Sequence, residues 1–177
     1  MRYFSTKDII VIAMFGALGV VVGFLGNILH GMSSTIPFIG PAILHTVPQG
    51  IVLFACVCTV KKTGSAILQC LIAALISMPL MGAPLFILSY GVQGIALDAA
   101  HFILKNRIYS NLWISINGAI YAAIGVIMLF YVVLPLQGMI MPSYVVLLSL
   151  PVNMILGIIA ALIGFRIGSR AENVIKG

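Results

Sequence analysis

Asp98 and His101 stand one helical turn apart inside an otherwise apolar stretch, where a carboxylate beside an imidazole is equipped to relay a proton. Asp98 is one of three acids in the chain, and the other two, Asp8 and Glu172, sit at the ends of apolar runs. The pair also suits a structural part, bonded to each other or to Lys105 reaching back along the helix. Uncharged polar groups gather toward the other ends of the runs: Asn27, His30, His45, Thr46, Gln49, Ser89, Tyr90, Gln93 and Asn153, with Tyr131 and Tyr144 nearby. Polar groups converging from several segments, with Tyr and Phe as flat apolar walls, describe a pocket for a small organic molecule. From that set Asn27, His45, Gln49, Tyr90, Gln93 and Asn153 are the candidate substrate-binding residues. Gln69, Asn117 and Tyr121 read instead as hydrogen-bonding glue between helices.

Catalytic constellations are absent from the sequence. Cys56 and Cys58 point to nearly opposite sides of a helix and Cys70 stands alone, so neither a zinc site nor a disulfide framework follows. His30, His45 and His101 fall at different depths, without the spacing of a His-Glu-x-x-His helix. There is no Gly-x-Ser-x-Gly elbow, no acidic pair for magnesium chemistry and no Walker sequence. No catalytic residue, metal or cofactor is expected, and if ATP drives this protein another chain must bind it.

These groups are carried by an extremely apolar chain. With 62% hydrophobic and 7% charged residues and a mean hydropathy of +1.24, 177 residues cannot hide their apolar surface in a soluble domain. The expected fold class is all-α, an integral membrane bundle of six transmembrane helices over residues 8–29, 41–60, 65–80, 85–104, 112–134 and 143–165. Helix follows because lipid leaves no backbone group unpaired and the alternation of a barrel strand is missing. The third span is short and closes on Met78-Pro79, which predicts a tilted or broken helix. Residues 1–177 read as one domain, with no inverted repeat and no cleavable leader expected.

Charge orients the bundle. All nine Lys and Arg fall on one side of this threading: Arg2 and Lys7, Lys61 and Lys62, Lys105 and Arg107, then Arg166, Arg170 and Lys176. By the positive-inside rule that side is the cytoplasm, with both termini in it, and the protein is expected in the cell membrane. The loops around 31–41, 81–84 and 136–142 carry no charged residue and are expected outside. The net charge of +6 is thus a topology signal with a mild attraction to anionic lipid, and it argues against a nucleic-acid partner.

Small residues mark where helices touch. At 100° per residue Gly16, Gly19, Gly23 and Gly26 form one stripe of the first helix, while Ala13 and Ala17 lie on another face. One helix with two such faces can pack on its own protein with the first and on a partner with the second. In the sixth helix Asn153, Gly157, Ala161, Gly164 and Gly168 form a stripe expected to face protein, with Pro151 freeing a carbonyl and bending the helix beside Asn153.

Several stretches resemble a known family. They are Gly26-Asn27 with Gly31-Met32, Ile39-Gly40-Pro41, Lys62-Thr63-Gly64-Ser65-Ala66, Ile72-Ala73-Ala74-Leu75, Gly91-Val92-Gln93-Gly94 with Asp98-Ala99, and Pro142-Ser143-Tyr144. Together with the size and the six spans, they make the chain similar to the substrate-binding S components of energy-coupling factor (ECF) vitamin transporters. Within that family the chain resembles the YkoE-like branch, linked to thiamin and its hydroxymethylpyrimidine precursor. The resemblance implies an S component that captures such a molecule from outside. A membrane T component driven by two ATPase subunits then topples it to release the cargo inward. It also implies that Ala13 and Ala17 match the Ala-x-x-x-Ala that docks on the T component, and that the 31–41 loop is the lid.

The outer half contains no acid, which suits neutral hydroxymethylpyrimidine better than cationic thiamin, although cation–π contact with Tyr is a substitute for a carboxylate. An S component for a different vitamin is a further option. The rival reading is a stand-alone secondary transporter in which Asp98 and His101 relay a proton. A lipid-acting enzyme and an accessory subunit without a ligand are the remaining alternatives.

Overall fold

The computed structural model describes residues 4–32, 46–81, 85–104, 109–136, 138 and 142–176. Among them the chain folds as six apolar helices without a strand: α1 (Thr6–Met32), α2 (Val47–Val60), α3 (Ser65–Met81), α4 (Leu85–Leu104), α5 (Asn111–Met128) and α6 (Ser143–Lys176). Helices α1, α4, α5 and α6 are long and apolar enough to cross a membrane, while α2 and α3 are shorter apolar helices. At 1.5 Å per residue α2 is about 21 Å long and α6 about 51 Å, on either side of a hydrocarbon core of about 30 Å. This is a multi-pass membrane protein.

Glycine lets the long helices meet at the backbone. α6 packs against α2 and α5, α3 against α4 and α1, and α1 also against α2. The stripe expected on α6 is buried at every position, Asn153, Gly157, Ala161, Gly164 and Gly168. A Cβ at Gly164 would lie 2.6 Å from the Ile51 carbonyl oxygen, and one at Gly168 equally close to that of Ala55, so α2 and α6 touch where no side chain fits. On α1 a Cβ at Gly16 would lie 2.8 Å from Ile72 of α3. The glycine stripe of α1 therefore faces the protein, whereas Ala17 is exposed, Ala13 partly so, and Met14 beside them is 67% exposed.

Prolines bend the expectation without breaking it. α3 runs through Pro79 to Met81 rather than closing before it, and α6 runs unbroken through Pro151. Two residues ahead of each proline a serine bonds back onto its own helix: Ser77 donates to the Ala74 carbonyl at 3.0 Å, and Ser149 to that of Val146 at 3.0 Å. The fifth span departs from regular α geometry. Ahead of Pro135, which has no N–H to donate, α5 widens into a π turn (Leu129–Val133) and ends in one last turn (Leu134–Leu136). α6 continues well past residue 165, because Gly168 still packs on α2 and Glu172 pairs with Lys61.

The basic end is tied together at the 61–64 turn. Lys61 takes left-handed φ 53° and ends α2, and Gly64, at φ 98°, turns the chain into α3. Lys62 bonds Asp8 of α1 at 2.6 Å, and Lys61 pairs with Glu172 of α6 while lying 5.2 Å over the Tyr109 ring. Asp8 also accepts the Ser5 N–H at 2.7 Å and its hydroxyl hydrogen at 2.7 Å, while its own N–H donates to Ser5 Oγ, closing a capping box at the start of α1.

Candidate functional site

Five of the helices line one small internal cavity, and four of them bring polar side chains to it. Gly19 of α1, Gln49 and Leu53 of α2, Gln69, Cys70 and Ala73 of α3, Tyr90 and Gln93 of α4, and Tyr121 of α5 line it. Its volume is about 10 Å³, the room of a single water molecule. Gln49, Gln69, Tyr90, Gln93 and Tyr121 are all buried, the most exposed of them at 8%. Gln49 Oε1 and the Tyr90 hydroxyl both lie beside Gly23, and Gln49 Oε1 and Gln69 Oε1 are buried without a hydrogen-bond partner among the described residues. Two orphaned acceptors in an apolar bundle are costly unless something else donates to them.

Small residues shape the walls. A Cβ at Gly23 would lie 3.6 Å from Gln49 Oε1, and one at Gly19 3.8 Å from Gln69 Nε2, ordinary contact distances that place both amides against the glycine stripe of α1. Gly125 of α5 does leave room, for Gln93, whose Nε2 would be 2.9 Å from a Cβ there. Tyr121 is fixed edge-on to Phe54, with ring centroids 5.9 Å apart.

Three expected site residues, Gln49, Tyr90 and Gln93, thus line one cavity. Asn153 does not: its Oδ1 accepts the Thr46 hydroxyl at 3.0 Å and its Nδ2 donates to the Ser149 carbonyl at 2.9 Å, tying α6 to the start of α2. The side chains of Asn27 and His45 lie outside the described residues, as do Lys105 and the 33–45 segment that holds most of the expected lid. Gln69 and Tyr121, read from sequence as glue, belong to the cavity, while Asn117 bonds its own helix through the Trp113 carbonyl. Of these two, Gln69 lies against the glycine stripe of α1 at Gly19, whereas Tyr121 packs on Gly50 of α2, a single glycine that forms no pattern in the sequence.

Asp98 and His101 are buried but do not bond each other. The carboxylate of Asp98 accepts the N–H of Gly64 at 2.8 Å and that of Ile67 at 2.7 Å, at the start of α3. His101 Nε2 meets the Tyr109 hydroxyl at 2.9 Å. Among the described residues no three His, Cys, Asp or Glu side chains come together as a metal site.

The family is decided by the match over residues 7–124, about two thirds of the chain, to the profile described as ABC-type cobalt transport system, permease component. The chain belongs to this family. It is a membrane component of an ABC-type transport system, in agreement with its apolar helices. No curated protein and no solved structure matches this permease component.

Proposed function

We propose that this permease component is the substrate-capture (S) subunit of an ECF-type importer, binding hydroxymethylpyrimidine or thiamin from outside. It would deliver the cargo inward with a T component and two ATPase subunits, its termini in the cytoplasm. The observation that carries this reading is the cavity. Amides and phenols from α2, α3, α4 and α5 surround it, two carbonyl oxygens are left to accept hydrogen bonds, and none of its lining residues is charged. That is the equipment for a flat, uncharged molecule with N–H or O–H groups. The absence of an ATP-binding motif from the sequence agrees with an energy source on other chains. A ring is far larger than the present cavity, so binding would spread α1, α3 and α4 apart.

The family description gives cobalt as a second cargo. Cobalt(II) favours imidazole and carboxylate ligands, whereas the lining offers three amides, two phenols and one thiol, which supports the organic molecule instead. Calorimetric titration of the purified chain with hydroxymethylpyrimidine, thiamin and cobalt(II) tests the reading, alongside mass spectrometry of any retained molecule. Tight binding of either organic compound supports it. Heat from cobalt alone replaces the cargo, and uptake by the isolated chain under a proton gradient replaces the S-subunit role with that of a secondary transporter.

A further inference from the structure

The only acid in the interior of the bundle spends both oxygens on the backbone of a neighbouring helix. Asp98 is 4% exposed, and its carboxylate receives the N–H groups of Gly64 and Ile67, two of the donors that the start of a helix leaves without internal partners. The positive end of the α3 dipole meets a negative charge there. This bond fixes the rotation and height of α3 on α4. One turn beyond the clamp α3 presents Gln69 and Cys70 to the cavity, and a little over one turn before Asp98 α4 presents Gln93. The two helices touch between these points, where a Cβ on Gly94 would lie 3.0 Å from Ile67 Cα and 3.2 Å from Cys70 Cβ.

We infer that Asp98 is a positioning residue that sets the α3–α4 wall of the cavity, and through it the placement of Gln69 and Gln93. The turn it grips, 61–64, is held on its other sides by Lys62 on Asp8 and Lys61 on Glu172. A displacement of that turn at the basic end therefore reaches the cavity through Asp98. The functional meaning rests on the cavity being the substrate site, whereas the geometric claim does not.

The test uses the full chain in lipid nanodiscs with Cys56 and Cys58 replaced by Ala. Gly94→Cys sets a second thiol against Cys70 with its Cβ 3.2 Å from that of Cys70 and 3.0 Å from Ile67 Cα, so α3 and α4 must part by a few tenths of an ångström to reach disulfide separation. Closure is compared with and without Asp98→Asn in this same background. Mild oxidation, followed by a maleimide-polyethylene-glycol gel shift, reads how fast the pair closes. Asp98→Asn keeps the side-chain size but turns one acceptor into a donor that faces a backbone N–H. The expected result, well below the melting temperature of either variant, is several-fold slower closure. Without Gly94→Cys, faster labelling of Cys70 by methyl methanethiosulfonate is expected, and this measurement decides if the cysteine pair fails to fold. Hydroxymethylpyrimidine affinity should fall about tenfold in Asp98→Asn. Unchanged closure and labelling, with only a lower melting temperature, would overturn the inference. If the unaltered chain binds no probe yet closure slows, the positioning role stands and the S-subunit reading fails.

Discussion

Gly118 of α5 and Gly157 of α6 meet backbone to backbone, so that a Cβ on either would run into the other's carbonyl oxygen. Ala122 and Ala161 flank the crossing, and the whole contact is built from the four smallest surfaces available. In lipid, where apolar side chains gain nothing by leaving their solvent, such close approach supplies the packing energy that holds helices together. Because the obstacle is backbone, it cannot swing aside. Gly157→Leu is expected to destabilise the bundle by about 3 kcal/mol or more, read as a lower melting temperature in detergent. A shift within error would mean that α5 and α6 are not locked at this point.

At the cavity, Gln93→Ala should weaken hydroxymethylpyrimidine binding by about 1–3 kcal/mol, the cost of stranding a buried hydrogen-bonding partner. Gln69→Ala should behave alike, although its sequence position suggested only helix glue. Calorimetry on both variants separates the two parts: unchanged affinity in either removes that amide from the site.

The outward face of α1 calls for a different experiment. Ala17 is exposed and Ala13 partly so, while Gly16, one position before Ala17, and Gly19, two positions after it, are buried. Replacing Ala13 or Ala17 with Leu should leave substrate affinity within about twofold, since the side chains point away from the cavity, yet abolish uptake and co-purification with the membrane partner. If affinity collapses instead, that face packs internally.

The ties at the basic end are individually weak. The Lys62–Asp8 pair is about one fifth exposed on both sides, so a double-mutant cycle with Lys62→Gln and Asp8→Asn should return about 1 kcal/mol or less, falling further at high salt. A coupling of several kcal/mol would show that the 61–64 turn is drier and more rigid than its exposure implies.

Asn153→Ala should affect stability more than binding, because its side chain is already committed to Thr46 and to the Ser149 carbonyl. The loss is expected to be about 1–2 kcal/mol in thermal unfolding, with hydroxymethylpyrimidine affinity nearly unchanged. A tenfold loss of affinity would return Asn153 to the site.

Much of the architecture was legible in the residues alone. Apolar runs separated by Lys, Gly and Pro delimit six helices, since lipid forbids unpaired backbone whatever the packing. The inward glycine stripes of α1 and α6 followed from 3.6-residue periodicity, which fixes a face without reference to any neighbour. What periodicity cannot fix is which atom lies across that face. Depth counted from the ends of each run separated Gln69 and Tyr121 from Gln49, Tyr90 and Gln93, yet short helices and glycine contacts bring all five to one cavity. Asn153 went the other way, drawn to Thr46 across 107 residues of chain. Asp98 shows the limit most plainly. Its type and its place in an apolar run declared a carboxylate that needs partners, but those partners are backbone N–H groups of another helix, which carry no sequence signal. Only the crossing of α3 over α4 decided what that charge holds.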